Sequence, residues 1–433
     1  MLDSVSAKLK RLRRRPAPPP GRPTKYSMDG RVGVRAGAVT AKLKTTPTGR
    51  SLRMMSAALA LLTIGATDRP QRVFTTLDNR YLSESTVDRI VQRTMAANHV
   101  TGLGVVVIRK AKIAFIKSYG YASLDSKAPL TPATIMYGAS LTKATFAWML
   151  MQLVDEGKVD LDKPIGEYLA KPLPDYAAYA DLKGDERWRK LTLRMLMNHS
   201  SGFANFRFID DDKKLRFHRD PGTRYGYSGE GVHLAQFVLE QGLGLDVGKE
   251  IQRRVFDRFR MGDTSMTWRD SYEGRVATGY TADGQPQPFA HRRKADVAGS
   301  MDTTLADWAR FLVAVTRGDG LSRSARAMML RPTIWIDSPV QFPTLTEERT
   351  DRWKATKLGY AVGWGTFRSR FGEAFFKEGH DDGTENYAMC VDTRQSCILL
   401  MANDNRAASI IVPLTNQLLG PVGIPAEWEG YRP

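Results

Sequence analysis

Residues 137–157 read YGASLTKATFAWMLMQLVDEG, and the fold turns on how this stretch is read. Ala144, Phe146, Ala147, Trp148, Met149, Leu150, Met151, Leu153 and Val154 make it apolar nearly all round, which predicts a buried helix. Gly138 permits a sharp entry and Gly157 a C-cap. Ser140 and Lys143, three residues apart, share one helical face. A serine hydroxyl is a poor nucleophile until a base takes its proton. Burial disfavours the ammonium form of lysine, and a helix N-terminus favours negative charge. Ser-x-x-Lys on a buried helix is therefore a workable nucleophile and base. Taken alone, the tetrapeptide also fits Ser140 as an N-cap and Lys143 as a side chain reaching water.

The 433 residues are 42% apolar and 25% charged, ordinary values for a globular protein. The formal charge of +18 is unevenly spread. Residues 1–53 hold 14 Lys/Arg against 2 Asp/Glu, and the chain from 67 onward carries only +6. The basic character belongs to the leader, so no nucleic-acid partner is expected of the body. The leader, rich in Arg, Pro and Gly, cannot build a core and is expected to be disordered, or to precede a later true start at Met28 or Met54. Residues 54–66, MMSAALALLTIGA, follow Arg50 and Arg53 and read as a signal-peptide apolar segment. It is too short for a stable membrane span. The expected location is therefore periplasmic or secreted.

The body begins near Leu77. Residues 83–97 read as an amphipathic helix capped by Ser83. Residues 102–108 and 113–119 read as strands joined by the turn RKAK. Strands are expected again at 362–367, 374–377, 387–391 and 397–402, with helices at 296–316 and 407–419. The fold class is thus α/β of the α+β kind: an antiparallel sheet flanked by helices. It is built from 77–157 and 296–433, with a mostly helical subdomain inserted at 158–295.

Three stretches give the tetrapeptide company: LTLRMLMNHSSGF (191–203), PGTRYGYSGEG (221–231) and KEGHDDGTENY (377–387). With SLTK they resemble the serine β-lactamase and penicillin-binding-protein-like hydrolases, the group of class C β-lactamases, D-Ala-D-Ala carboxypeptidases and related esterases. The likeness runs from about residue 80 to 420 and implies a β-lactamase/transpeptidase-like fold. It implies that Ser140 is acylated, with Lys143 as its proton partner. Tyr227 matches the tyrosine of the family's Y-x-N motif, a usable base only beside positive charge. The resemblance further implies that His380 opens the third motif and that the N–H groups of Ser140 and Gly383 form the oxyanion hole.

Two departures bear on substrate. Gly229 replaces the asparagine of Y-x-N, and Asp382 replaces a glycine of the third motif. Both favour an ester, amide or peptide substrate over a β-lactam. Gly229, Glu230, Asp381, Asp382 and Trp364 are the expected substrate-binding residues, with Glu230 in the place of the missing amide. His199 is expected to be structural. The six histidines show no ligand spacing, so no metal and no cofactor is expected. The expected function is an exported serine hydrolase acting on a small-molecule or peptide substrate through a Ser140 acyl-enzyme. The alternative is a penicillin-binding sensor or scaffold with little turnover. Cys390 and Cys397 bracket VDTRQS, and a hairpin centred there sets them opposite one another. A disulfide and two packed free thiols both remain open.

Overall fold

A computed structural model describes residues 73–431. The leader at 1–53 and the apolar segment at 54–66 lie outside the described residues. Helix α1 (Glu84–Ala97) starts where the sequence expects, with the Ser83 hydroxyl accepting the Thr86 N–H at 3.2 Å. Strands β1 (Gly102–Arg109) and β2 (Lys112–Ser123) form the first hairpin. Its turn residues Lys110 and Ala111 lie at φ 50° and 55°, the left-handed pair that matches strand twist in a two-residue turn. Strand β3 (Ala128–Pro129) and helices α2 (Thr142–Asp155), α3 (Gly229–Leu243) and α4 (Leu305–Arg317) follow.

The second half supplies β4 (Ile334–Trp335), β5 (Gly359–Tyr360), β6 (Gly365–Ser369), β7 (Gly372–Asp381), β8 (Thr384–Val391) and β9 (Ser396–Ala402). Helices α5 (Ile411–Leu418) and α6 (Ala426–Glu429) close the chain. The nine strands form one antiparallel sheet in the order β4-β5-β6-β7-β8-β9-β1-β2-β3. None of these strands comes from residues 158–295, which supply α3, short helices and two two-residue strands.

Both sheet faces are covered, so the central strands are apolar throughout instead of alternating. Along β1, Leu103, Val105 and Val107 face a core shared with Val87, Val91, Leu414 and Trp428. Val106 and Ile108 face the other core, with Trp148, Leu305 and Trp308. Every residue of α2 from Thr142 to Leu153 is buried. Each large apolar side chain so buried contributes roughly 1.5–3 kcal/mol, enough to hold the first turn of α2 rigidly under the sheet edge.

Two expectations need correction. The segment 296–316 becomes helical only at Leu305. Asp302 and Thr303 pair with Tyr137 and Met136 in a short ladder, and the Thr304 hydroxyl caps α4 by accepting the Asp307 N–H at 3.1 Å. Strand β7 runs to Asp381, four residues beyond expectation, because Asp382 and Gly383 form the two-residue turn into β8. Cys390 lies directly opposite Cys397 in the β8–β9 register, and the two are disulfide-bonded.

Candidate active site

Ser140 sits in a single 3-10 turn, Ala139–Leu141, that runs into α2. Ala139 immediately before it is held at φ +46°, a conformation that costs a non-glycine residue on the order of 1 kcal/mol or more. The strain is held from several directions. The ladder at Met136–Tyr137 fixes the approach, and the Asn386 amide on β8 donates to the Tyr137 carbonyl at 2.9 Å. The free edge of β7 closes the other side. At Gly379 a Cβ would stand 2.7 Å from the Gly138 oxygen and 3.2 Å from the Leu141 nitrogen. Only glycine lets the strand come this close.

Lys143 is buried and donates from Nζ to Ser140 Oγ at 3.0 Å and to the Ala298 carbonyl at 2.6 Å. Tyr227 is also buried, with Lys143 Nζ 5.1 Å and Lys377 Nζ 5.2 Å from its ring centroid. Burial pushes that phenol up, but the charges of Lys143 and Lys377 outweigh it and leave the group below its usual value. Lys377 Nζ is 3.4 Å from the Tyr227 oxygen and 2.8 Å from Glu378 Oε1. Burial pulls the Lys377 ammonium down, but Glu378 and Tyr227 reverse this, so it stays above its ordinary value and charged. Two lysines thus bracket one tyrosine beside one serine.

His199 backs this tyrosine. Its ring centroid is 4.2 Å from that of Tyr227, and Nδ1 accepts the Ser228 N–H at 3.2 Å. Burial and the charges of Lys143 and Lys377 hold the imidazole well below its usual value, so it is neutral and carries its proton on Nε2. Its role is to pack and orient.

The structure thus brings together Ser140, Lys143 and Tyr227. It does not bring the His380 ring to them. That ring is largely exposed and its Nδ1 bonds Glu385 Oε2 at 2.7 Å. The side chain at the tyrosine is Lys377, three residues earlier. The Gly383 N–H is engaged elsewhere, donating to Asn405 Oδ1 at 2.7 Å within the hairpin turn. Asp381 turns back on that same turn, its Oδ1 accepting the Asp382 N–H at 2.9 Å. Glu230 does not stand in for an amide. Its carboxylate takes the Arg207 N–H and guanidinium at 2.9 Å each. Trp364 is fully buried against Trp308 and Phe375 and lines no cleft. Gly229 opens α3, its N–H held by Asn205 Oδ1 at 2.9 Å.

The signal for Lys377 was present in the sequence. An Asp-Gly pair between apolar runs marks a two-residue hairpin turn. Fixing the turn at Asp382–Gly383 puts Lys377-Glu378-Gly379 on the strand, with glycine where the close approach needs it. The pairing also says which backbone groups face Ser140. Glu378 turns its carbonyl outward, where it accepts from Lys377 Nζ at 3.0 Å. Strand β6 pairs only with residues 372–376 of β7. In an antiparallel strand the N–H and C=O of one residue point the same way and alternate residues share a side. The His380 N–H therefore points to the open edge, toward the Ser140 turn. Among the described residues no group of three or more His, Cys, Asp or Glu could hold a metal ion, and no helix is long and apolar enough to cross a membrane.

The family model described as Beta-lactamase matches residues 87–413. The chain belongs to the beta-lactamase family. It is 25% identical over 219 residues to a beta-lactamase of Pseudomonas fluorescens, covering 48% of this chain and 57% of that one. It is 21% identical to Protein flp of Staphylococcus aureus over 47% of this chain, and that match spans only 42% of the relative. Among solved structures, the D-alanine carboxypeptidase AmpC of Burkholderia cenocepacia superposes with a TM-score of 0.60 at 19% identity, covering 74% of this chain and 93% of that one. A D-amino acid amidase of Ochrobactrum anthropi superposes with 0.58 at 21% identity, covering 74% and 91%. These structural likenesses establish the fold.

Proposed function

We propose that the chain is a serine hydrolase that cleaves an ester or amide through an acyl-enzyme on Ser140. The observation that carries the reading is Tyr227, a buried phenol held below its usual value by Lys143 and Lys377, the first of which also bonds Ser140 Oγ. As Ser140 Oγ attacks the carbonyl carbon, its proton passes to the Tyr227 oxygen, which reacts as the phenolate that the two lysine charges favour. The carbonyl oxygen becomes an oxyanion, met by the N–H groups of Ser140 and His380. Collapse breaks the bond to the leaving group, which takes the proton back from Tyr227. Water then attacks the ester on Ser140 by the same path in reverse. Lys143 orients Oγ, and Lys377 keeps a fixed positive charge beside the phenol.

The disulfide between Cys390 and Cys397 supports a chain that matures in an oxidising compartment, as an exported hydrolase does. Steady release of 4-nitrophenol from a simple ester, lost in Ser140→Ala, tests the reading. Stoichiometric labelling of Ser140 without turnover would favour the sensor or scaffold instead.

A further inference from the structure

We infer that the acyl group taken by this site is bulky and apolar, above all aromatic, and that it seats against Phe206. This rests on the serine-hydrolase reading of the same site. A Cβ built at Gly229 would lie 2.4 Å from Phe206 Cε1 and 2.7 Å from Cζ. The phenyl ring therefore fills the volume that a side chain at 229 would enter, two residues after Tyr227. The exchange replaces a hydrogen-bonding amide with an aromatic face.

The ring is firmly placed. The Gly229 N–H is held by Asn205 Oδ1 and the Glu230 N–H by the Asn205 carbonyl, each at 2.9 Å. Glu230 in turn grips Arg207 through backbone and guanidinium. Phe206 also stacks on Phe208, with centroids 5.1 Å apart and planes 11° apart. Because Arg207 is committed to Glu230, this loop offers an acyl group an apolar surface and not a cation for a carboxylate. On the other side of Tyr227, Phe342 meets the phenol ring edge-on at 5.7 Å and is 52% exposed. A single exposed ring is common on protein surfaces. This one borders the phenol that handles the proton, so a substrate group bound there would cover it.

The test uses 4-nitrophenyl acetate and 4-nitrophenyl phenylacetate, which share a leaving group. The ratio of their kcat/KM values, phenylacetate over acetate, is expected to be about tenfold or more in the native protein, the scale an apolar pocket supplies. Phe206→Ala should cut that ratio about tenfold, and Phe342→Ala should cut it by a smaller factor. Phe206→Leu, which keeps an apolar side chain, serves if the alanine variant does not fold, and should lower the ratio in the same direction. A native ratio of one or less, or a ratio unchanged in the Phe206 variants, overturns the inference. A fluorophosphonate probe separates the two levels. Labelled Ser140 with a ratio of one or less sinks the aromatic subsite alone. Absence of both label and ester turnover sinks the hydrolase reading, and the subsite with it.

Discussion

Gly379→Ala should damage catalysis far more than its size suggests. The added Cβ would stand 2.7 Å from the Gly138 oxygen and 3.2 Å from the Leu141 nitrogen, on either side of Ser140 in the chain. Favourable carbon contacts begin near ~3.5 Å, so the strand edge and the Ser140 turn must separate by several tenths of an ångström. The turn cannot retreat easily, because Asn386 tethers it and α2 behind it is fully buried. The edge of β7 must move instead, carrying with it the N–H of His380 and the ammonium of Lys377. A displacement approaching ~1 Å costs on the order of 10²-fold in rate, and overpacking costs about 1–3 kcal/mol of stability. The assay is kcat/KM on a 4-nitrophenyl ester, with thermal unfolding measured on the same preparation. The expected result is a 10- to 100-fold loss, of the order misplacement gives, in a protein that still folds cooperatively. Activity within twofold of native would mean that the β7 edge is not the wall of the oxyanion site.

Lys377→Met removes one of the two charges that hold the Tyr227 phenol down. The rise of kcat/KM with pH should therefore move to higher pH, and an unmoved profile would take Lys377 out of the proton path. Lys143→Ala and Tyr227→Phe should each lower turnover by about two or more orders of magnitude. Their double variant should lose much less than the product of the two, since both groups serve one proton transfer. Replacing Cys390 and Cys397 together by alanine opens the loop they close and should lower stability by about 2–3 kcal/mol. Chemical denaturation under non-reducing conditions measures this, and an unchanged midpoint would show that the bond does not form in the protein as prepared.

The sheet and the helix under Ser140 were legible because their patterns are strong. Residues 142–153 are apolar all round because the helix lies wholly inside, and β1 is an unbroken apolar run because both its faces are covered. The inserted helical stretch was harder to describe. Its short single-turn helices show little periodicity, and their positions come from packing. At the site, Ser140, Lys143 and Tyr227 could be named from local motifs, since each carries its chemistry beside recognisable neighbours. The resemblance puts His380 at the opening of the third motif, but the side chain beside Tyr227 is Lys377, three residues earlier. The register that decides which side chain faces the tyrosine is fixed by the turn at Asp382–Gly383. Glu230 and Trp364 were misassigned for a different reason. A buried carboxylate near Tyr227, or a tryptophan near a strand, does not reveal its partner in the sequence. Arg207, 23 residues away, and the core around Trp308 were the missing information.

The acyl-enzyme is a covalent bond to one oxygen atom, and mass spectrometry detects it directly. The native chain is quenched in acid during turnover of a 4-nitrophenyl ester, then digested and mapped. A mass increase of one acyl group is expected, confined to the peptide containing Ser140 and absent from Ser140→Ala. An acyl group on another residue, or turnover that persists in Ser140→Ala, would contradict it.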